Sequence, residues 1–98
     1  MTKVILSQAA DADLEDIFDF TLEKFGLDQA VSYVSGFDNT FEIISRNPEI
    51  GRERKEIREE LHSLAKDKHV IFYRILSDHI RIVRILHRSM DFVQHLSL

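Results

Sequence analysis

Five histidines, His62, His69, His79, His87 and His95, are many for a chain of 98 residues, and they pose the first question of chemistry. None stands in an H-x-x-x-H or H-E-x-x-H arrangement, and no cysteine is present to complete a metal ligand set. Scattered histidines of this kind are usually surface or partly satisfied groups. His69 and His87 fall near opposite ends of adjacent antiparallel strands, or come together if the register slips. A G-x-S-x-G nucleophile elbow is absent, and three glycines in all supply no phosphate-cradling loop. The carboxylate pairs Asp11/Glu15 and Asp16/Asp19 lie at a helix start, where solvation explains them better than catalysis. What remains is basic: Arg58, Lys66, Lys68, Arg84 and Arg88, with Tyr73 and the histidines. Such groups can supply the base, the acid and the cations of a metal-free ribonuclease. Almost any basic sheet offers the same kit, so composition alone leaves that chemistry open.

The elements that must position these groups are legible in the hydropathy pattern. Lys3-Val4-Ile5-Leu6-Ser7 is short and β-branched and reads as a strand, with Ser7 placed to cap a helix. Ala10, Leu14, Ile17, Phe18, Thr21 and Phe25 recur at three- and four-residue steps and predict one buried helical stripe, closed by Gly26. Asp28 is placed to cap a second helix with the stripe Ala30, Tyr33, Val34, Phe37, Phe41 and Ile44, so the two make a helical hairpin. Asn47-Pro48 ends it, because the residue before proline avoids the α region. A mixed stretch containing Ile57, Leu61 and Leu64 reads as a strand. The runs 69–76 and 80–86 are strongly β-prone, and Ser77-Asp78-His79 between them has hairpin length. Both runs are apolar on both faces, which calls for central strands covered on each side. Asp91 and Gln94 have capping-box spacing for a short terminal helix. The expected fold is a single α+β domain over residues 1–98: an N-terminal strand, an α-helical hairpin, a three-stranded antiparallel meander in one sheet, and a short C-terminal helix.

Charge divides along the same line. Residues 1–50 hold ten acidic side chains against three basic ones, whereas residues 51–90 hold ten basic against six acidic. The helical layer is therefore acidic and the sheet basic. The overall charge of −4 argues against a protein whose main task is gripping phosphate backbones. No apolar run approaches the roughly 20 residues of a membrane helix. Without cysteine or a secretory leader pattern, the expected compartment is the cytoplasm.

The ordered set Ala10-x-x-Asp13-Leu14-x-x-Ile17, Asn47-Pro48-x-Ile50-Gly51, Ile57-Arg58, His69-Val70-Ile71-Phe72-Tyr73-Arg74 and Ile82-x-Arg84-Ile85-Leu86-His87-Arg88-Ser89-Met90-Asp91 resembles the ParE toxins of type II toxin–antitoxin modules. Those toxins are relatives of the RelE ribonucleases. The resemblance spans Val4 to Leu96, and the last block is its most specific part. It implies a RelE/ParE-like fold and a bacterial toxin that traps DNA gyrase on cleaved DNA. It also implies a ParD-like antitoxin that neutralises the toxin in a hetero-oligomer. No cofactor, no membrane and no direct sequence-specific nucleic-acid binding is implied, and the toxin is an inhibitor rather than an enzyme. The rival reading is RelE-type cleavage of mRNA on the ribosome. The segment His87-Arg88-Ser89-Met90-Asp91-Phe92 has no tyrosine after the last strand, and Asp91 adds negative charge where a scissile phosphate would sit. A third reading is an inactive toxin fold that only binds its antitoxin.

Two sets of site residues follow. Arg84, His87, Arg88, Ser89, Met90 and Asp91 are the candidate gyrase-contact and toxicity residues. Their structural alternatives are an Arg84 ion pair with a carboxylate and an Asp91 helix cap. Phe20, Val31 and Ile43 are the candidate antitoxin-binding residues, since each lies about 120° off the centre of its helical stripe. Large apolar groups so placed are expected to be partly exposed, as partner sites are.

Overall fold

The computed structural model describes residues 2–96. The chain runs β1 (Val4–Leu6), α1 (Gln8–Phe25), α2 (Leu27–Arg46), a 3₁₀ turn (Pro48–Ile50), β2 (Arg52–Glu53), β3 (Leu61–Lys66), β4 (His69–Ile75), β5 (Ile80–His87) and α3 (Phe92–Leu96). One five-stranded sheet has the order β1-β5-β4-β3-β2, so the two β-prone runs are indeed central. β2 to β5 pair antiparallel as expected, but β1 pairs parallel with β5, and the sheet is mixed. The two-residue β2 is too short to leave a hydropathy signal.

The start of α1 follows from Ser7. Its Oγ accepts the Ala10 N–H at 3.0 Å, satisfying one of the free donors of the first turn. The same hydroxyl donates to the Val83 carbonyl at 2.8 Å, which ties the helix to β5 across 76 positions. Gly26, at φ +90°, is at once the C-cap of α1 and the N-cap of α2, so one residue makes the hairpin turn. Asp28 is therefore not the cap but a first-turn residue of α2. There it favours the positive end of the helix dipole. Ile57 lies in the turn before β3, not in the strand, and packs beneath the sheet's far face.

The sheet is covered on both sides. Ala10, Ile17, Phe37, Phe41, Ile44, Ile71, Tyr73, Ile80, Ile82 and Ile85 form the core between helices and sheet. Leu61, Val70, Phe72, Leu86 and Leu96, with Ile57, Val83 and Phe92, form a second core under α3. Burying a side chain the size of Phe37, which is fully enclosed, contributes roughly 1.5–3 kcal/mol. The Gln94 N–H donates to Asp91 Oδ1 at 3.3 Å, so Asp91 caps α3 as its spacing suggested. Phe92 meets the ring of Phe72 edge-on at 5.0 Å.

A β-bulge in β5 sets which residues face which core. Phe72 stands opposite Arg84 and Tyr73 opposite Ile82, leaving Val83 as the extra residue. Before the bulge, Ile80 and Ile82 face the helices; after it, Ile85 does. The inward set thus changes from even to odd numbers, and His87 falls on the helical side. His69 is its direct cross-strand partner, with ring centroids 5.3 Å apart. The slipped register, not the end-to-end one, is what the chain adopts.

Candidate functional site

Where α1 passes over the closing end of β5 and the opening end of β4, the surface folds into a cleft of about 760 Å³. Ile17, Phe20, Phe25, Ile85 and Met90 give it an apolar wall, and Tyr33, Lys68, His69, His87 and Ser89 a polar end. Phe20 is 60% exposed and Met90 45%. Phe25, assigned to the buried stripe by spacing, is instead 67% exposed at the last position of α1.

The cleft floor is fixed by Asp13 of α1. Its Oδ2 accepts Arg84 Nε at 2.8 Å and the Ile85 N–H at 2.9 Å, and its Oδ1 accepts Arg84 Nη2 at 2.9 Å. This two-pronged geometry is the strong form of a guanidinium–carboxylate pair. Hydrogen bonding to Asp13 raises the pKa of Arg84 against a desolvation effect that lowers it. Arg84 therefore holds α1 on β5 from beneath the cleft.

The polar end is a chain of short contacts. Tyr33 Oη lies 2.7 Å from His69 Nδ1. Burial pushes the Tyr33 hydroxyl up in pKa, opposed by a hydrogen bond from the Lys68 backbone. Desolvation first, then the proximity of His87 and Lys66, lower the His69 pKa to about 4. Lys66 Nζ lies over the rings of Tyr33 and Phe37, 4.8 and 4.9 Å from their centroids, and pairs with Asp67. Ser89 Oγ lies 2.8 Å from His87 Nδ1, and the Ser89 N–H donates to the same nitrogen at 3.1 Å.

His69 makes stability pH-dependent in a defined window. Its folded-state pKa of about 4 lies below the ordinary 6.5, so between the two the unfolded chain binds more protons. The stability it contributes is complete above pH 6.5 and is lost progressively as pH falls toward 4. His69→Gln, which can still accept from Tyr33 but cannot charge, is expected to flatten the fall in melting temperature across that window. An unchanged slope in the variant would count against the assignment.

Of the candidate toxicity residues, His87, Ser89 and Met90 line the cleft. Arg84 lies below it, Asp91 caps α3, and Arg88 is exposed, with its backbone N–H on the Lys68 carbonyl at 2.9 Å. Of the candidate antitoxin residues, Phe20 lines the cleft. Val31 and Ile43 on α2 are about half exposed but do not line it. Neither candidate set contains Asp13, Phe25, Tyr33, Lys68 or His69, although Lys68 and His69 are among the groups suited to ribonuclease chemistry. Tyr33 sits in a core stripe, and only its hydroxyl hinted at a second task. Among the described residues no group of three His, Cys, Asp or Glu side chains is placed to hold a metal ion. No helix among them is long and apolar enough to cross a membrane.

This architecture is shared with toxins of toxin–antitoxin complexes. A chain from a chromosomal ParDE system of P. aeruginosa superposes with a TM-score of 0.78 at 20% identity, covering 89% of this chain and 96% of that one. A chain of the toxin–antitoxin complex RelBE2 of Mycobacterium tuberculosis gives 0.58 at 23% identity, covering 89% and 98%. Residues 4–92 match the model of the ParE toxin of type II toxin–antitoxin systems, and the chain belongs to that family. It is 38% identical over 91 residues to Toxin ParE1 of Mycobacterium tuberculosis, covering 92% of this chain and 93% of that protein. It is 35% identical to Toxin ParE1 of Caulobacter vibrioides, covering 93% and 94%.

Proposed function

We propose that this chain poisons DNA gyrase in the bacterial cytoplasm, trapping the enzyme on cleaved DNA, and that a ParD-like antitoxin silences it. In this reading the segment around His87, Arg88, Ser89, Met90 and Asp91, held in place by Arg84, contacts gyrase. An apolar helix of the antitoxin occupies the cleft at Phe20 and extends over the exposed Val31 and Ile43 of α2. The observation that carries the proposal is that Phe20 lines the same cleft as His87, Ser89 and Met90. An antitoxin seated there covers the gyrase-contact segment, so neutralisation needs no change of shape.

The chain acts here as an inhibitor and not as an enzyme, with no cofactor. Against the RelE-type ribonuclease stands the commitment of one cation: Arg84 is bound two-pronged to Asp13 and is not free to neutralise a scissile phosphate.

The test is a supercoiling and DNA-cleavage assay with purified gyrase, titrating the chain alone and with its antitoxin. Linear, gyrase-linked DNA that the antitoxin reverses is the expected result. Untouched gyrase with mRNA cleavage on the ribosome would replace the proposal with the ribonuclease. Silence in both would leave a fold that only binds antitoxin. In the same system Phe20→Asp with Ile43→Asp is expected to weaken antitoxin binding about 100-fold, equivalent to about 2.7 kcal/mol, without unfolding the toxin. Wild-type affinity in that double variant would remove the assigned surface.

A further inference from the structure

The polar end of the cleft has a feature that neither gyrase poisoning nor apolar docking uses: two imidazoles whose Nδ1 atoms are both engaged by neighbouring groups. The Ser89 backbone N–H can only donate, and it points at His87 Nδ1 from 3.1 Å. That nitrogen therefore carries the lone pair, and the ring proton sits on Nε2. Tyr33 Oη lies 2.7 Å from His69 Nδ1. In the arrangement inferred here the phenol donates to Nδ1, which leaves the His69 proton on Nε2. Neither Nε2–H has a hydrogen-bond partner among the described residues, and neither atom is among the buried, unpartnered ones, so both meet solvent in the cleft. The rings are direct cross-strand neighbours at 5.3 Å.

We propose that His69 and His87 form a paired N–H anchor for a carboxylate, supplied by an acidic side chain on the antitoxin segment that lies in the cleft. The inference deepens the antitoxin reading and rests on it for the source of the carboxylate.

The charges facing the pair are of both signs, and two of the carboxylates are ion-paired. On the α1 side Asp13 is held by its two-pronged bond to Arg84, and Asp16 and Lys24 also line the cleft. From the β3–β4 turn, Asp67 is paired with Lys66, and Lys68 lines the cleft. From α2 come the uncharged Tyr33 hydroxyl and Gln29 amide. Desolvation first, then His87 and Lys66, oppose protonation of His69, and Asp13 and Asp67 favour it. A carboxylate seated between the rings reverses that balance and favours taking up a proton. Antitoxin binding then strengthens as the pH falls, by up to about tenfold per pH unit for one proton taken up.

The experiment combines two readouts on the full chain. The first is the pH dependence of antitoxin affinity for wild type, His87→Gln and His69→Gln. The second is an NMR titration of the imidazole resonances with chloride, acetate or inorganic phosphate at matched ionic strength. His79 and His95, away from the cleft, serve as internal controls. The expected result is affinity that rises on acidification in wild type and is flat in either glutamine variant. Acetate is expected to move the His69 and His87 resonances and leave the controls still. Equal pH slopes in wild type and variants, or acetate indistinguishable from chloride, would overturn the anchor while leaving the antitoxin assignment standing. A response to phosphate alone would overturn the carboxylate assignment. Failure of the antitoxin to bind at any pH would instead sink the functional reading itself.

Discussion

Asp13→Ala is expected to lower the stability of the fold by about 3 kcal/mol, the range for breaking a largely buried ion pair from one side. For a domain near 100 residues this is a fall in melting temperature of roughly 12–20 °C. The cost is large because one carboxylate serves three donors: two nitrogens of Arg84 and the backbone N–H of Ile85. Its removal strands a guanidinium whose side chain is only 25% exposed, and a strand N–H. Arg84→Met is expected to cost less, because Asp13 still accepts from Ile85 and the methionine fills part of the space. Thermal melts of both single variants and the double variant give the coupling directly. Strict additivity would mean that the pair contributes nothing as a unit. The same Asp13 variant is expected to lose toxicity, since the cleft floor and the start of the 87–91 segment hang from this contact.

Gly51→Ala is expected to be comparably damaging, about 3 kcal/mol, for a steric reason. Gly51 has φ −74° and ψ 154°, a conformation open to any residue, so the backbone is not what demands glycine. A methyl group there would meet the Tyr73 ring, with Cε1 at 2.8 Å and Cζ at 2.9 Å. That ring is fully buried and stacked on His62 at 5.4 Å, so it has nowhere to retreat. Its hydroxyl accepts the Gly51 N–H at 2.8 Å and donates to the Pro48 carbonyl at 2.7 Å, pinning the turn onto the sheet. Tyr73→Phe leaves both backbone groups unmet and is expected to cost about 1–3 kcal/mol. The two changes should not add, because removing the hydroxyl also removes the first atom in the new methyl's way. Denaturant titration of the two single variants and the double one would show this as a double-variant loss smaller than the sum. A loss equal to or above the sum would place the clash elsewhere.

Much of this architecture could be read from local pattern. Ser7, Gly26, Pro48 and Asp91 mark their boundaries through short-range hydrogen bonding and backbone sterics, which are properties of a few adjacent residues. The central place of β4 and β5 followed from apolar residues on both of their faces. The exposure of Phe20, Val31 and Ile43 followed from their angle around the helix. What stayed hidden depends on residues distant in the chain. Nothing near Asp13 announces Arg84, 71 positions away. The bulge at Val83 shifts the inward set by one, so His87 could not be assigned to the helical side by alternation. Phe25 has the right helical angle for burial but stands 67% exposed at the end of α1, and helical angle alone does not say where a helix stops being covered. The parallel pairing of β1 depends on where the chain returns after the meander, which no local signal specifies.

That pairing has a consequence in time. Val4, Ile5 and Leu6 are made well before Ile80, Arg81 and Ile82, their sheet partners. The helical hairpin can coil locally, but its apolar stripe has no sheet to lie on until the final hairpin exists. Contacts across such separations pay the full entropy of closing the chain before they return any stabilisation, which slows folding. The cleft is built from both ends of this arrangement, with α1 on one wall and β5 on the other. A nascent chain that lacks β5 therefore has no cleft, and both of its walls come into being in one late, cooperative step.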